Sequence, residues 1–150
     1  MIHEQIKDDM KTAMKERKAL KLSVIRSLLA AFTNEAVTLG KKPDDKLTDD
    51  EALIILKRAS NQRKDAAEQF KNGSRPDLAE NEEAELLVIQ DYLPAQMSPE
   101  EIKIIAERKK IELGISDQSK MGILIGAVMK EVGASADGNT VKTVVEKILG

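Results

Sequence analysis

The chain has no cysteine and no tryptophan, one tyrosine, two phenylalanines and a single histidine in 150 residues. Without cysteine there is no disulfide framework, no thiolate metal site and no cysteine nucleophile. With aromatic residues at 2%, the core has to be aliphatic, built from Leu, Ile, Val, Met and Ala, which suits helix-on-helix packing and predicts an all-α fold. Charge of one sign is lacking too. The 24 basic residues face 26 acidic ones, for a net charge of −2; there is no global pull towards nucleic acid, and any RNA contact must come from a local patch. No apolar run reaches the roughly 20 residues of a membrane span, and Met1-Ile2-His3-Glu4 leads into a charged amphipathic segment instead of an apolar signal region. These absences predict a soluble, cytoplasmic protein without a membrane partner.

Catalytic chemistry is equally thin. The lone His3 sits at the terminus, where fraying is expected. Carboxylates cluster at Asp8-Asp9, Asp44-Asp45, Asp49-Asp50-Glu51 and Glu82-Glu83, in helix first turns, loops and polar faces, where capping and solvation account for them. No glycine loop precedes Lys-Ser or Lys-Thr, and no serine or lysine stands in a pattern that marks a nucleophile with its base. The expectation is no catalytic residue, no metal and no cofactor.

Helical periodicity covers most of the chain. Ile2, Ile6, Met10 and Ala13 recur at three- and four-residue steps, as do Leu22, Ile25, Leu29, Phe32, Ala36 and Leu39 up to Gly40. After the polar Lys41 to Asp45 loop, Thr48 and Glu51 have the spacing of a capping box and open a third helix that Asn72-Gly73 stops. Pro76 suits the first turn of a fourth, with Leu78, Leu86, Ile89 and Leu93 on its buried side. Pro94 and Pro99 bracket the best domain boundary, which divides a helical N-terminal domain, residues 1–94, from a three-helix tail, residues 95–150. Ser98-Pro99-Glu100-Glu101 caps the first tail helix. The second carries Met121, Leu124, Ile125, Val128 and Val132, and the third Val141, Val144, Val145 and Ile148.

Three polar or glycine-bearing features remain. Lys57 to Asp65 makes the middle of the third helix polar on most of its girth, and Arg58, Arg63 and Lys64 give either a solvated face stitched by pairs such as Lys64 with Glu68, or a partner surface. Gly122 and Gly126 lie one turn apart on an apolar helix, although each costs ~1 kcal/mol relative to Ala there. Such glycines permit either close helix packing or the approach of a ligand backbone. In the turn Gly133 to Thr140, Gly133 suits a left-handed cap, and the free N–H groups of the following helix either form a phosphate site or are capped by Asp137. No aromatic platform accompanies them, so the RNA mode left is backbone and shape recognition.

Leu22-Ser23-Val24-Ile25-Arg26, Asn34-Glu35-Ala36, Gln62-Arg63-Lys64-Asp65, Arg75-Pro76-Asp77-Leu78-Ala79, Tyr92-Leu93-Pro94 and Ser98-Pro99-Glu100-Glu101, with Lys120-Met121-Gly122, Gly126 and Ala136-Asp137-Gly138, together resemble the GatB/YqeY family in order and spacing. The resemblance implies kinship with the tail of the B subunit of tRNA-dependent amidotransferases, which contacts the body of tRNA. It carries a family label, carbon–nitrogen ligase activity with glutamine as amido-nitrogen donor, but the catalytic portion of that subunit has no counterpart in this chain. Ile123 and Asn139 stand where the family pattern has lysines. The expectation is a non-catalytic tRNA-associated adaptor, with Lys120, Gly122, Gly126, Lys130, Gly138 and Lys142 as the RNA-binding set and Arg58, Arg63 and Lys64 as a second surface. Its partners would be tRNA or a translation or aminoacyl-tRNA-related protein, and not DNA. The alternative is a protein-interaction module that docks through the third helix without RNA.

Overall fold

The computed structural model describes all residues, Met1–Gly150, and is all-α, with seven α-helices and no strand. It divides into two compact units, Met1–Leu93 and Pro94–Gly150.

The first unit holds α1 (Ile2–Lys15), α2 (Ala19–Thr38), α3 (Asp49–Asn72) and α4 (Pro76–Gln90). Its core is mostly aliphatic, as composition predicts: Ile6 from α1, Val24, Ile25, Leu28, Phe32 and Ala36 from α2, Ala52, Ile55, Leu56 and Ala59 from α3, and Ile89 from α4. Of the expected α2 stripe, Leu22 and Leu29 are only half-buried and Leu39 is exposed, while Val24 and Leu28 take the buried side. The predicted capping box closes the start of α3. The Thr48 hydroxyl accepts from the Glu51 N–H at 3.2 Å, and the Glu51 carboxylate accepts from the Thr48 N–H at 2.9 Å and from Lys41 at 2.6 Å.

The C-terminal ends of α1, α2 and α3 share one device. Lys18 N–H bonds to Ala13 C=O and Arg17 N–H to Met14 C=O; the same two-bond pattern recurs from Lys41 and Gly40 back to Ala36 and Val37, and from Arg75 and Ser74 back to Phe70 and Lys71. These are Schellman motifs, whose penultimate residue takes a left-handed conformation. Gly40 holds it with φ 78°, and so do two residues with a Cβ, Arg17 at 56° and Ser74 at 60°. The stop expected from Asn72-Gly73 is found, with α3 ending at Asn72, but Gly73 has φ −86° and Ser74 makes the left-handed reversal.

Two expectations change. His3 does not fray; it is buried. Its Nδ1 accepts the Leu47 N–H at 2.9 Å, and its ring meets Phe32 edge-on at 5.0 Å. The imidazole anchors α1 to the segment before α3. The polar middle of α3 is not a solvated cylinder either, because Ala59, Ser60 and Ala67 are buried and α4 packs along it. Arg63 reaches across to Glu85 at 2.9 Å and Glu82 at 3.8 Å, and Lys71 to Glu83 at 2.5 Å. These carboxylates come from the facing helix, so no i,i+4 count within α3 finds them, and Lys64 forms no ion pair with Glu68. At the far end, the Tyr92 hydroxyl donates to Asp9 at 2.5 Å, and burial with that carboxylate pushes the phenol up.

In the second unit, α5 (Pro99–Leu113), α6 (Met121–Val132) and α7 (Gly138–Leu149) enclose Ile102, Ala106, Leu124, Val128, Val132, Val141, Val144 and Val145. Single 3-10 turns, Gln118–Lys120 and Gly133–Ser135, lead into and out of α6. Ser98 caps α5 through a capping box with Glu101, and Gly114, at φ 64°, ends it. Arg108 of α5 holds both Glu131 oxygens of α6 at 2.5 Å.

Two measurements test this core. Phe32→Ala removes the largest fully buried side chain and is expected to lower the unfolding free energy by about 3–5 kcal/mol in urea melts. Burial, with the positive charges of Lys7 and Lys46, holds the His3 imidazole below its ordinary value. The folded state then binds fewer protons than the unfolded one, so the contribution of His3 is complete above the unfolded value near 6.5 and is lost as pH falls through the folded value. Unfolding free energies at pH 7.5, 6.5 and 5.5 should therefore fall with acidity in the native chain. His3→Asn, which keeps an acceptor for Leu47 but cannot titrate, should fall less.

Candidate nucleic-acid interface

The tail residues singled out in the sequence fall on two helices, α6 and α7, except Lys120, which ends the 3-10 turn before α6. Gly122, Gly126 and Lys130 are spaced four apart and lie on one outward face of α6, opposite the buried Leu124, Val128 and Val132. All three are exposed, as is Ile123 beside them at 61%. A Cβ built on Gly122 or Gly126 meets nothing within 4 Å. Neither glycine serves the packing of this unit, which leaves a strip of bare helix backbone facing solvent.

Lys120 stands at the end of the 3-10 turn, where the Asp117 side chain accepts from the Ser119 N–H at 3.0 Å. Bonds from Ser119, with a smaller contribution from the Lys120 charge, hold the Asp117 carboxyl below its usual value. Lys120 and Lys130 are exposed and have no carboxylate within ion-pair distance, whereas Arg108 and Lys109 of α5 are matched by Glu131 and Glu112. The α6 face thus combines open backbone with the unpaired cation Lys130 at its far end, while Lys120 stands in the turn before the helix.

Gly138 and Lys142 lie four apart on α7. Gly138 opens the helix with open space where a Cβ would stand, and Lys142 is exposed without an ion-pair partner. Asp137 occupies the N-cap position of α7, but its side chain makes no capping hydrogen bond. Its Oδ1 is buried with no hydrogen-bond partner, so the carboxylate does not take the first N–H groups of α7. Gly133 has a positive φ of 55°, but its ψ of −131° departs from the expected left-handed cap, and the chain runs on into the 3-10 turn. Between α5 and α7 lies an open groove of about 540 Å³, lined by Lys103, Lys110 and Lys147 but also by Glu100 and Glu107. Its mixed charge suits a polyanion poorly.

On α3 the three expected cations are separated by their surroundings. Arg58 is exposed, with Glu35 of α2 at 3.9 Å; Arg63 is 18% exposed between Glu82 and Glu85; and Lys64 is half-buried. They do not form one free basic surface. The densest unmatched positive charge of the first unit lies instead at the corner between α1 and α2, around Lys11, Lys15 and Arg17, which periodicity did not single out. The signal for it was a local count, five basic residues against one acidic over residues 11–21.

Comparison with known proteins agrees with this picture of one family over the whole chain. The family model for YqeY-like proteins matches residues 3–149. The altered inheritance of mitochondria protein 41, mitochondrial, of Vanderwaltozyma polyspora is 33% identical over 138 residues, covering 90% of this chain and 69% of its own length. The protein of the same name from Pyrenophora tritici-repentis is 29% identical over 149 residues, 97% of this chain and 80% of its own. An uncharacterized protein of Schizosaccharomyces pombe is 32% identical over 98 residues, 65% of this chain and 73% of its own. No helix of this chain is long and apolar enough to cross a membrane. The chain belongs to the YqeY-like protein family.

Proposed function

We propose that this protein is a non-catalytic tRNA-associated adaptor, and that its tail meets the sugar-phosphate backbone of folded tRNA through the outward face of α6. The observation that carries this reading is the strip at Gly122 and Gly126, exposed and open where a Cβ would stand, with the unpaired Lys130 on the same face and Lys120 in the turn that leads into the helix. Glycine is costly inside a helix, and nothing in this unit repays that cost by packing against it. An external backbone that approaches the helix within contact distance does. Lys142, beside Gly138 on α7, adds a third cation to the set. With Ile123 and Asn139 in place of two lysines of the family pattern, the contact carries few charges and is correspondingly weak and salt-sensitive.

The ligase label of the amidotransferases belongs, on this reading, to their catalytic portion and not to a chain of this composition. The cytoplasm is the compartment proposed for it, although several relatives carry mitochondrial in their names. Docking of a protein partner through α3 draws less support, since α4 covers the helix and supplies carboxylates to Arg63.

Bulk folded tRNA titrated against the full chain at low and physiological salt, with an unstructured RNA of equal length as control, tests the proposal. Tighter binding to folded tRNA is expected. Gly122→Ala with Gly126→Ala should raise helix stability by up to about 2 kcal/mol and yet weaken tRNA binding, because each methyl occupies the approach path. Lys120→Glu with Lys130→Glu should weaken it further. Equal binding of both RNAs, or tRNA affinity untouched by these changes, would sink the reading.

A further inference from the structure

Residues 11–21 carry Lys11, Lys15, Arg17, Lys18 and Lys21 against Glu16 alone, in a chain whose net charge is −2. They form the end of α1, the α1–α2 corner and the first turn of α2. Lys11, Lys15, Arg17 and Lys18 are exposed. Only Lys18 is matched, by Glu16 at 3.1 Å; the other four have no carboxylate within ion-pair distance. Elsewhere in this unit several cations are met from neighbouring elements, Arg63 and Lys71 by α4, Lys41 by Glu51 and Lys46 by Glu4, and those that are not, such as Lys7, Arg26 and Lys42, are scattered singly along the chain. The corner is where uncompensated cations cluster, four of them within eleven residues.

Arg17 marks the place a second time. It holds the left-handed position of the Schellman motif that ends α1, with φ 56°, a conformation that disfavours any residue with a Cβ relative to glycine. At the equivalent positions after α2 and α5 the chain uses Gly40 and Gly114. Ser74 is the other exception, and it is small and uncharged. A long cation kept where glycine is the easy solution is a local strain of the kind that collects at binding sites.

We propose that the α1–α2 corner is a docking site for the phosphate backbone of a folded RNA. Lys11 and Lys15 stand one helical turn apart on one face of α1, a step of about 6 Å along the axis, and Arg17 offers a planar fork suited to phosphate oxygens. Met14 and Leu20, 51% and 43% exposed, sit among these cations, which makes an anionic lipid surface the rival occupant. Two isolated apolar side chains form no contiguous patch, and the charge favours RNA. The inference extends the RNA reading to a surface that shares no residue with the α6 face, so each can fail alone.

The test uses the full chain with three probes: bulk tRNA, a double-stranded RNA of unrelated sequence, and phosphatidylcholine vesicles with and without phosphatidylglycerol. Lys11→Glu with Lys15→Glu should leave the melting temperature near that of the native chain, weaken binding to both RNAs about tenfold or more at low salt, and reduce the slope of log affinity against log salt by about two. Arg17→Gly is the sharper variant. It should keep or raise the melting temperature, since glycine relieves the left-handed strain, while lowering RNA affinity and the salt slope by about one. Gly126→Glu is run in parallel: if it is silent while the corner variants weaken binding, the corner stands and the α6 reading falls. Folded corner variants that bind RNA like the native chain, or a native chain that binds neither RNA, overturn the inference. Binding to the anionic vesicles alone, lost in the corner variants, also overturns it and hands the corner to a lipid surface.

Discussion

Short helices have many ends, and every end exposes backbone groups that have to find partners. With seven helices in 150 residues, closing those ends is the constraint on which the rest of the structure depends. Capping boxes at Thr48 and Ser98 open α3 and α5. Two-bond Schellman reversals close α1, α2, α3 and α5. Each reversal fixes the direction in which the next helix leaves, and so decides which apolar stripes can meet. The aliphatic cores follow from that arrangement.

What could be read in the sequence was what is local. The three- and four-residue recurrence of Ile, Leu, Val and Ala placed α1 to α7, and the Thr48 to Glu51 spacing placed a cap to the residue. What is made across the fold was hidden. The reversal at Ser74 in place of Gly73 depends on where the Phe70 and Lys71 carbonyls find their donors. His3 looked like a loose end because its two partners, Leu47 and Phe32, lie far along the chain. Lys57 to Asp65 looked solvated because the carboxylates that meet Arg63 come from α4. In the tail, the cost of two glycines in a helix was plain, but only the fold shows that no neighbour fills the space beside them.

Charge compensation separates structure from surface in this molecule better than charge itself. A cation between two carboxylates of a facing helix, as Arg63 is, fixes the spacing of α3 and α4 and is spent in doing so. Cations that no carboxylate meets, such as Lys130 on α6 and Lys11, Lys15 and Arg17 at the α1–α2 corner, leave their field uncompensated at the surface. Near-neutral net charge hides both, since the excess acid elsewhere cancels the corner in the sum. The buried, unpartnered oxygen of Asp137 is the reverse case, an anion withdrawn from the helix start it would be expected to cap.

The hydrogen bond from Tyr92 to Asp9 joins residues 83 apart in sequence. Loop closure over that distance comes late when a chain folds. During synthesis, α1 is made first but cannot gain this contact until the end of α4 has left the ribosome, and its anchoring through His3 also waits for Leu47. α1 can turn back on α2 as soon as both are made, through the reversal at Arg17, but its ties to Leu47 and Tyr92 wait for later parts of the chain. The N-terminal unit is therefore fastened in stages, its apolar stripe covered first by the neighbouring helices and its polar clasp closed only when Tyr92 is reached.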